Sequence, residues 1–152
     1  MDLPTEYFDP DRPLYSHQIK SIEHLQQRRH LVVATGTGSG KTECFLFPIL
    51  DSILTDPAPG LRAIIIYPMN ALANDQLLRL RNLLRNFPEV TFGRYTGETP
   101  WDKPEDLGTD RLKNERMTRH EIRESPPHIL LTNFAMLEYL LLRPNDLSLI
   151  HI

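Results

Sequence analysis

The run Thr35-Gly36-Thr37-Gly38-Ser39-Gly40-Lys41-Thr42 holds the residues of this sequence with the clearest chemistry. Glycines at 36, 38 and 40 let a backbone curl until several N–H groups point into one hollow, where phosphate oxygens fit. The lysine after the last glycine can reach the β- and γ-phosphates of a nucleoside triphosphate, and the Thr42 hydroxyl can bind Mg²⁺. The candidate ligand-binding set is therefore Thr35, Gly36, Thr37, Gly38, Ser39, Gly40, Lys41 and Thr42. Lys41 and Thr42 are the catalytic candidates, and Thr42 is the metal ligand. Thr35 stands where the strict pattern Gly-x-x-x-x-Gly-Lys-Thr has its first glycine. A Gly/Ser turn with a solvated lysine is the plain alternative, and three alternating glycines after an apolar run disfavour it.

Such a loop needs a strand before it and a helix after it, and the flanking sequence predicts both. Leu31-Val32-Val33-Ala34 reads as a buried strand, and a helix is expected from Thr42 to about Leu54, kinked at Pro48. Ser16 is the expected N-cap of an earlier helix carrying Gln18, Ile19, Ile22 and Leu25. After the turn-rich Asp56-Pro57-Ala58-Pro59-Gly60, the pattern repeats as a strand at 62–67, a helix at 71–86 and a third strand at 90–95. Residues 97–108 read as a loop, 110–123 as a charged helix, 129–132 as a fourth strand and 134–142 as a helix. Strands alternating with helices predict an α/β fold with a mostly parallel sheet and flanking helices. Residues 1–13 read as an extended lead-in, and 14–152 as the domain.

Bulk properties bound the rest. At 152 residues and 40% hydrophobic content, one domain fits and two do not. A formal charge of −3 means that nucleic acid could be held only by local basic patches and backbone amides. The single cysteine, Cys44, excludes an internal disulfide, and the six histidines are too dispersed for a metal knuckle. No apolar run approaches the roughly 20 residues that cross a bilayer, and the acidic, Pro-broken start lacks the order of a signal peptide. A cytoplasmic protein with no membrane partner is expected.

Segments outside the loop narrow the choice among phosphate-loop proteins. His17-Gln18 lies on the predicted first helix, with Gln18 placed 23 positions (41 − 18) before Lys41. Tyr67-Pro68-Met69-Asn70-Ala71-Leu72-Ala73 follows the second predicted strand, and Tyr95-Thr96-Gly97-Glu98-Thr99-Pro100 the third. Ile129-Leu130-Leu131-Thr132-Asn133 runs into Phe134-Ala135-Met136-Leu137-Glu138. In this order the segments resemble those of superfamily 2 helicases of the DEAD/DEAH-box type, over roughly Leu14 to Pro144. Their wording is similar to that of bacterial mitomycin-repair-factor-like and phage-defence DNA helicases. The resemblance implies a RecA-like P-loop NTPase domain with ATP and Mg²⁺ as cofactors. It also implies ATP-driven movement along nucleic acid, with DNA favoured over RNA as the partner. Gln18 would read adenine through its amide, as donor and acceptor together. Pro68, Asn70 and Ala71, together with Gly97, Thr132 and Asn133, would hold the nucleic-acid backbone.

Hydrolysis in that family needs an acidic pair at the end of a further strand, and the sequence contains no Asp-Glu dipeptide. The resemblance implies that the pair, and then a second RecA-like domain, follow the segment Leu147 to Ile152. A C-terminally truncated motor domain is therefore expected, inactive alone and marginally stable for want of central strands. The rival readings are an RNA helicase and a non-catalytic nucleotide- or nucleic-acid-binding module.

The remaining residues with possible chemistry carry plainer readings. Arg79, Arg81, Arg85, Arg111, Lys113, Arg116, Arg119 and Arg123 could attract phosphate, but interleaved carboxylates, with Glu115 four before Arg119, favour a solvated helix. Packing is favoured over base stacking for Trp101, and a core role over a nucleophilic one for Cys44. Tyr15 is open between the core and stacking on adenine.

Overall fold

The computed structural model describes residues 13–102 and 111–142. The lead-in at 1–12, the loop portion at 103–108, Asp110 and residues 143–152 lie outside the described residues. The chain divides into two compact units, Met1–Asp56 and Pro57–Ile152.

The first unit pairs α1 (Ser16–Gln26) with α2 (Lys41–Thr55). Tyr15, one residue earlier than expected, is the N-cap of α1 because the Gln18 side-chain oxygen, three residues on, accepts its N–H at 2.9 Å. The helix closes on Arg28 in the left-handed region (φ 56°), with Arg28 N–H bonded to Leu25 O and Arg29 N–H to His24 O. These are the two reverse bonds of a Schellman end. Helix α2 continues through Pro48, which has no N–H to offer the preceding turn, and buries Cys44, Leu46, Phe47, Leu50 and Ile53.

Leu31-Val32-Val33-Ala34 does not form the expected strand. A strand exists only through a hydrogen-bonded neighbour, and no strand among the described residues pairs with this run. Val32 is 92% exposed.

The second unit is a parallel four-stranded sheet in the order β1-β4-β2-β3, with β1 at Ala63–Tyr67, β2 at Phe92–Tyr95, β3 at Glu115–Arg116 and β4 at Ile129–Asn133. Helix α3 (Asn70–Leu84) connects β1 to β2 and α4 (Arg119–Glu124) connects β3 to β4, while α5 (Phe134–Leu142) follows β4. The sheet is apolar because helices cover it: Ile129, Leu130 and Leu131 are buried, and Tyr95, Ile122, Leu130 and Leu140 form one cluster. Gly93 lets β3 approach, since a Cβ there would lie 2.8 Å from the Arg116 carbonyl.

The charged helix expected at 110–123 is replaced by the short strand β3 and the six-residue α4. Its surface charge pattern is misleading, because Asn114 and Glu115 point inward. The two N–H groups of the Asn114 amide are shared among the carbonyls of Leu84, Phe87 and Val90 at 2.9–3.1 Å, tying down the chain between α3 and β2. Glu115 is 2% exposed and accepts both arms of Arg81 at 2.7–3.0 Å, so it is not paired with Arg119. Thr118 then caps α4, its hydroxyl accepting the Glu121 N–H while Glu121 reaches back to the Thr118 N–H.

Two predictions follow the same logic of buried polar groups. Asn114→Ala leaves three carbonyls short of donors and should lower stability by about 1–3 kcal/mol, read as a lower urea midpoint at unchanged slope. His128, buried at the head of β4, accepts the Thr91 N–H on Nδ1 at 3.1 Å and so must be neutral. Burial holds its pKa below the usual value, Arg62 and Arg116 push the same way, and the Ala58 carbonyl opposes them. As pH falls below about 6.5, the unfolded chain takes up a proton that the folded chain refuses, so stability should drop. In His128→Gln this acid-side loss should be smaller, as urea midpoints at successive pH values will show.

Candidate nucleotide-binding and nucleic-acid-binding sites

The loop from Thr35 to Gly40 is built to present amides. Gly38 and Gly40 sit at φ 74° and 75°, a region costly for any side chain, and a Cβ at Gly36 or Gly38 would meet nothing within 4 Å. Helix α2 begins at Lys41 directly after Gly40, and its first four N–H groups have no partner within the helix. The Lys41 ammonium is held at the mouth of the loop by the carbonyls of Thr35, at 2.9 Å, and Gly36. Thr35 and Ser39 close the loop through their hydroxyls at 2.6 Å. Thr42, half-buried, is the next residue on α2. Thr37 is exposed at the loop tip.

A triphosphate fits this arrangement: open space lies over Gly36 and Gly38, a helix N-terminus follows and the Lys41 ammonium stands at the rim. The fit to Mg²⁺ is narrower. Among the described residues no group of three or more His, Cys, Asp or Glu converges, so Thr42 would hold Mg²⁺ through its hydroxyl alongside oxygens of phosphate and water.

Helix α1 holds the other side of the loop. Gln18 is 5% exposed, and its Nε2 donates to the Gly40 carbonyl at 3.0 Å while its Oε1 accepts the Tyr15 N–H. One N–H and one lone pair of the amide remain for any base. His17 was not among the expected site residues, yet its Nε2 meets the Ser39 carbonyl at 2.9 Å. Tyr15 is exposed, not in the core, and its ring stacks on His17 with centroids 5.6 Å apart. Cys44 is a buried residue of α2.

In the second unit the parallel pairing brings the carboxyl ends of β1, β4 and β2 to one edge, with Tyr67 opposite Asn133 and Tyr95 opposite Thr132. Ligands of open parallel sheets bind at this edge. Four of the six expected contacts lie on loops or a helix start there, exposed Pro68, Ala71 and Gly97 and half-buried Asn70, and a fifth, half-buried Asn133, is the last residue of β4. The sixth, Thr132, is fully buried and donates its hydroxyl to Tyr95 O at 2.7 Å, so its side chain joins β4 to β2. Asn70 and Asn133 also bond within the chain. Met136 N–H donates to Asn133 Oδ1, Asn133 Nδ2 to Asn70 Oδ1, and Asn70 Nδ2 to Glu98 Oε1, each at 2.7–2.9 Å. The first bond fixes which end of each amide is oxygen, and the others follow. Arg94 joins this network through Asn74 and, at 3.4 Å, Glu98. Three strand ends are thereby locked at fixed spacing.

Arg119 completes the edge from beneath. Its guanidinium donates to the carbonyls of Thr99, Thr96 and Gly97 at 2.9–3.3 Å and stacks against Tyr95 and Trp101. Arg123 covers Trp101 as well, at 4.8 Å, although the indole is still 53% exposed. Because a trans peptide points its N–H opposite to its C=O, carbonyls gathered onto Arg119 turn the Gly97 and Glu98 amides away from it. Sequence reasoning placed Arg119 on a solvated face. Its three carbonyl partners come from a loop some twenty residues away, which no local pattern reveals.

Comparison with known proteins agrees with this geometry. The family model for DEAD/DEAH box helicases matches residues 15–151. The Druantia protein DruE of Escherichia coli is 30% identical over 86% of this chain, which spans 12% of that protein. An ATP-dependent helicase of Methanocaldococcus jannaschii is 33% identical over 88% of this chain, which spans 18% of it. Among solved structures, the DUF1998 helicase MrfA bound to DNA and AMPPNP superposes with a TM-score of 0.68 at 30% identity, covering 89% of this chain and 17% of that one. The four-stranded parallel sheet with flanking helices is thus part of a RecA-like helicase domain.

Proposed function

Because this chain belongs to the DEAD/DEAH box helicase family, we propose that it is the ATP-gripping part of a motor that moves along DNA. The observation that carries this reading is the glycine loop curled at the start of α2 with the Lys41 ammonium at its mouth. Lys41 exchanges the Thr35 and Gly36 carbonyls for β- and γ-phosphate oxygens, and the amides of Gly38, Gly40, Lys41 and Thr42 take the others. The Thr42 hydroxyl would hold Mg²⁺, which would offset the charge on the phosphate oxygens. ATP supplies the free energy of phosphoryl transfer to water. The carboxylates that direct that water, and a second RecA-like domain, come in this reading from outside these 152 residues, which span 12–18% of the relatives above. By themselves the residues bind nucleotide and do not turn it over.

The sheet edge grips the nucleic-acid strand. Amides at the start of α3, at Gly97 and Glu98, and at the start of α5 are neutral donors suited to phosphate oxygens, which explains how a chain of charge −3 can hold DNA. Such a grip reads backbone and not sequence. DNA is favoured over RNA because the superposed MrfA structure is a DNA complex. Among the described residues no helix is long and apolar enough to cross a membrane, and a cytoplasmic setting suits the lone Cys44.

Lys41→Ala removes a charge-assisted contact and should weaken Mg-ATP binding by about 10- to 100-fold in calorimetry. Unchanged affinity would refute the role given to the loop. Arg119→Lys cannot fork onto three carbonyls, so it should weaken binding of single-stranded DNA. The slope of log affinity against log salt should nevertheless hold. A drop in slope of about 0.7 would mean instead that Arg119 touches phosphate itself.

A further inference from the structure

We propose that His17 is a positioning residue for the phosphate loop, acting on the triphosphate end of the nucleotide and not on its base. The inference rests on the nucleotide-binding reading above and deepens it.

A carbonyl can only accept, so the bond of 2.9 Å to Ser39 O fixes the proton on His17 Nε2. Tyr15 lies stacked at 10° to the plane of the ring and limits its swing. Gln18, the adjacent residue, grips the adjacent carbonyl, that of Gly40. Two neighbouring side chains of α1 therefore hold two successive loop carbonyls.

Peptide planarity converts this grip into an anion site. The Ser39 carbonyl and the Gly40 N–H belong to one peptide unit, as do the Gly40 carbonyl and the Lys41 N–H, and in each trans unit the two groups point in opposite directions. Pulling both carbonyls toward α1 turns the Gly40 and Lys41 amides away from it, the direction in which α2 presents its own unpaired amides. The left-handed backbone at Gly40 (φ 75°) allows the turn, and its missing Cβ leaves room for Gln18, whose Nε2 would otherwise lie 2.5 Å from it. Without the His17 bond, the Ser39–Gly40 peptide is free to rotate, and an amide aimed at phosphate is lost part of the time.

A residue that aims amides affects every ligand carrying the phosphates, whatever its base. The test is calorimetric titration of the chain with Mg²⁺ and each of ATP, GTP and inorganic tripolyphosphate, for the natural protein, His17→Phe and His17→Gln. His17→Phe keeps a ring for Tyr15 and loses the donor; His17→Gln restores an N–H at similar reach. The expected result is that His17→Phe weakens all three ligands by the same factor, about fivefold, and that His17→Gln recovers most of it. Should His17→Phe melt early, His17→Met provides the same comparison. Weakening confined to ATP would assign His17 to the base, and unchanged affinities would make the contact idle. Equal losses in the Phe and Gln variants would show that the donor is not what matters. Each of those three outcomes overturns the inference while the nucleotide reading survives. If the natural protein takes up none of the three ligands, the reading beneath it fails.

Discussion

A planar peptide cannot turn its carbonyl one way without turning the following N–H the other, and both candidate sites depend on that constraint. At the phosphate loop, side chains of α1 and the Lys41 ammonium hold carbonyls of residues 35, 36, 39 and 40. At the sheet edge, Arg119 holds those of residues 96, 97 and 99. In each place side chains hold the backbone by its carbonyls, and the amides of the same peptide units turn the other way. Preorganised amides need no reorientation when an anion arrives, and that is where their advantage over mobile surface charges lies.

The same economy explains the charges. Arg81 is committed to Glu115, Arg94 to Asn74 and Glu98, and Arg111 to Glu121. The charged helix expected at 110–123 is therefore framework in good part: its Glu115 and Glu121 hold Arg81 and Arg111. The Asn70–Asn133 bond and the Thr132 hydroxyl do for the strand ends what Arg119 does for the loop: they fix spacing.

Much of this was legible in the sequence where one local signal sufficed. Alternating glycines before Lys-Thr located the loop, and helical periodicity located α2, α3 and α5 to within one or two residues. Apolar, β-branched runs located β1, β2 and β4. Legibility failed where a residue's partner lay far along the chain. Glu115 looked solvated because Arg81 lies 34 positions away, and Leu31 to Ala34 looked like a strand although a strand is made by its neighbour. Gln18 was singled out by its resemblance to the glutamine that precedes the loop in superfamily 2 helicases. The bond it makes to Gly40, and the parallel bond from His17, could not be foreseen from spacing alone.

The central claim, that the amides beside Gly38, Gly40 and Lys41 form the cradle for the triphosphate of ATP, is tested most directly by nitrogen–proton NMR of the labelled chain during titration with Mg-ATP. The account predicts saturable shifts of those three amide resonances, larger than any elsewhere in the chain. Saturation with those three signals unmoved, or no saturation at all, would contradict it.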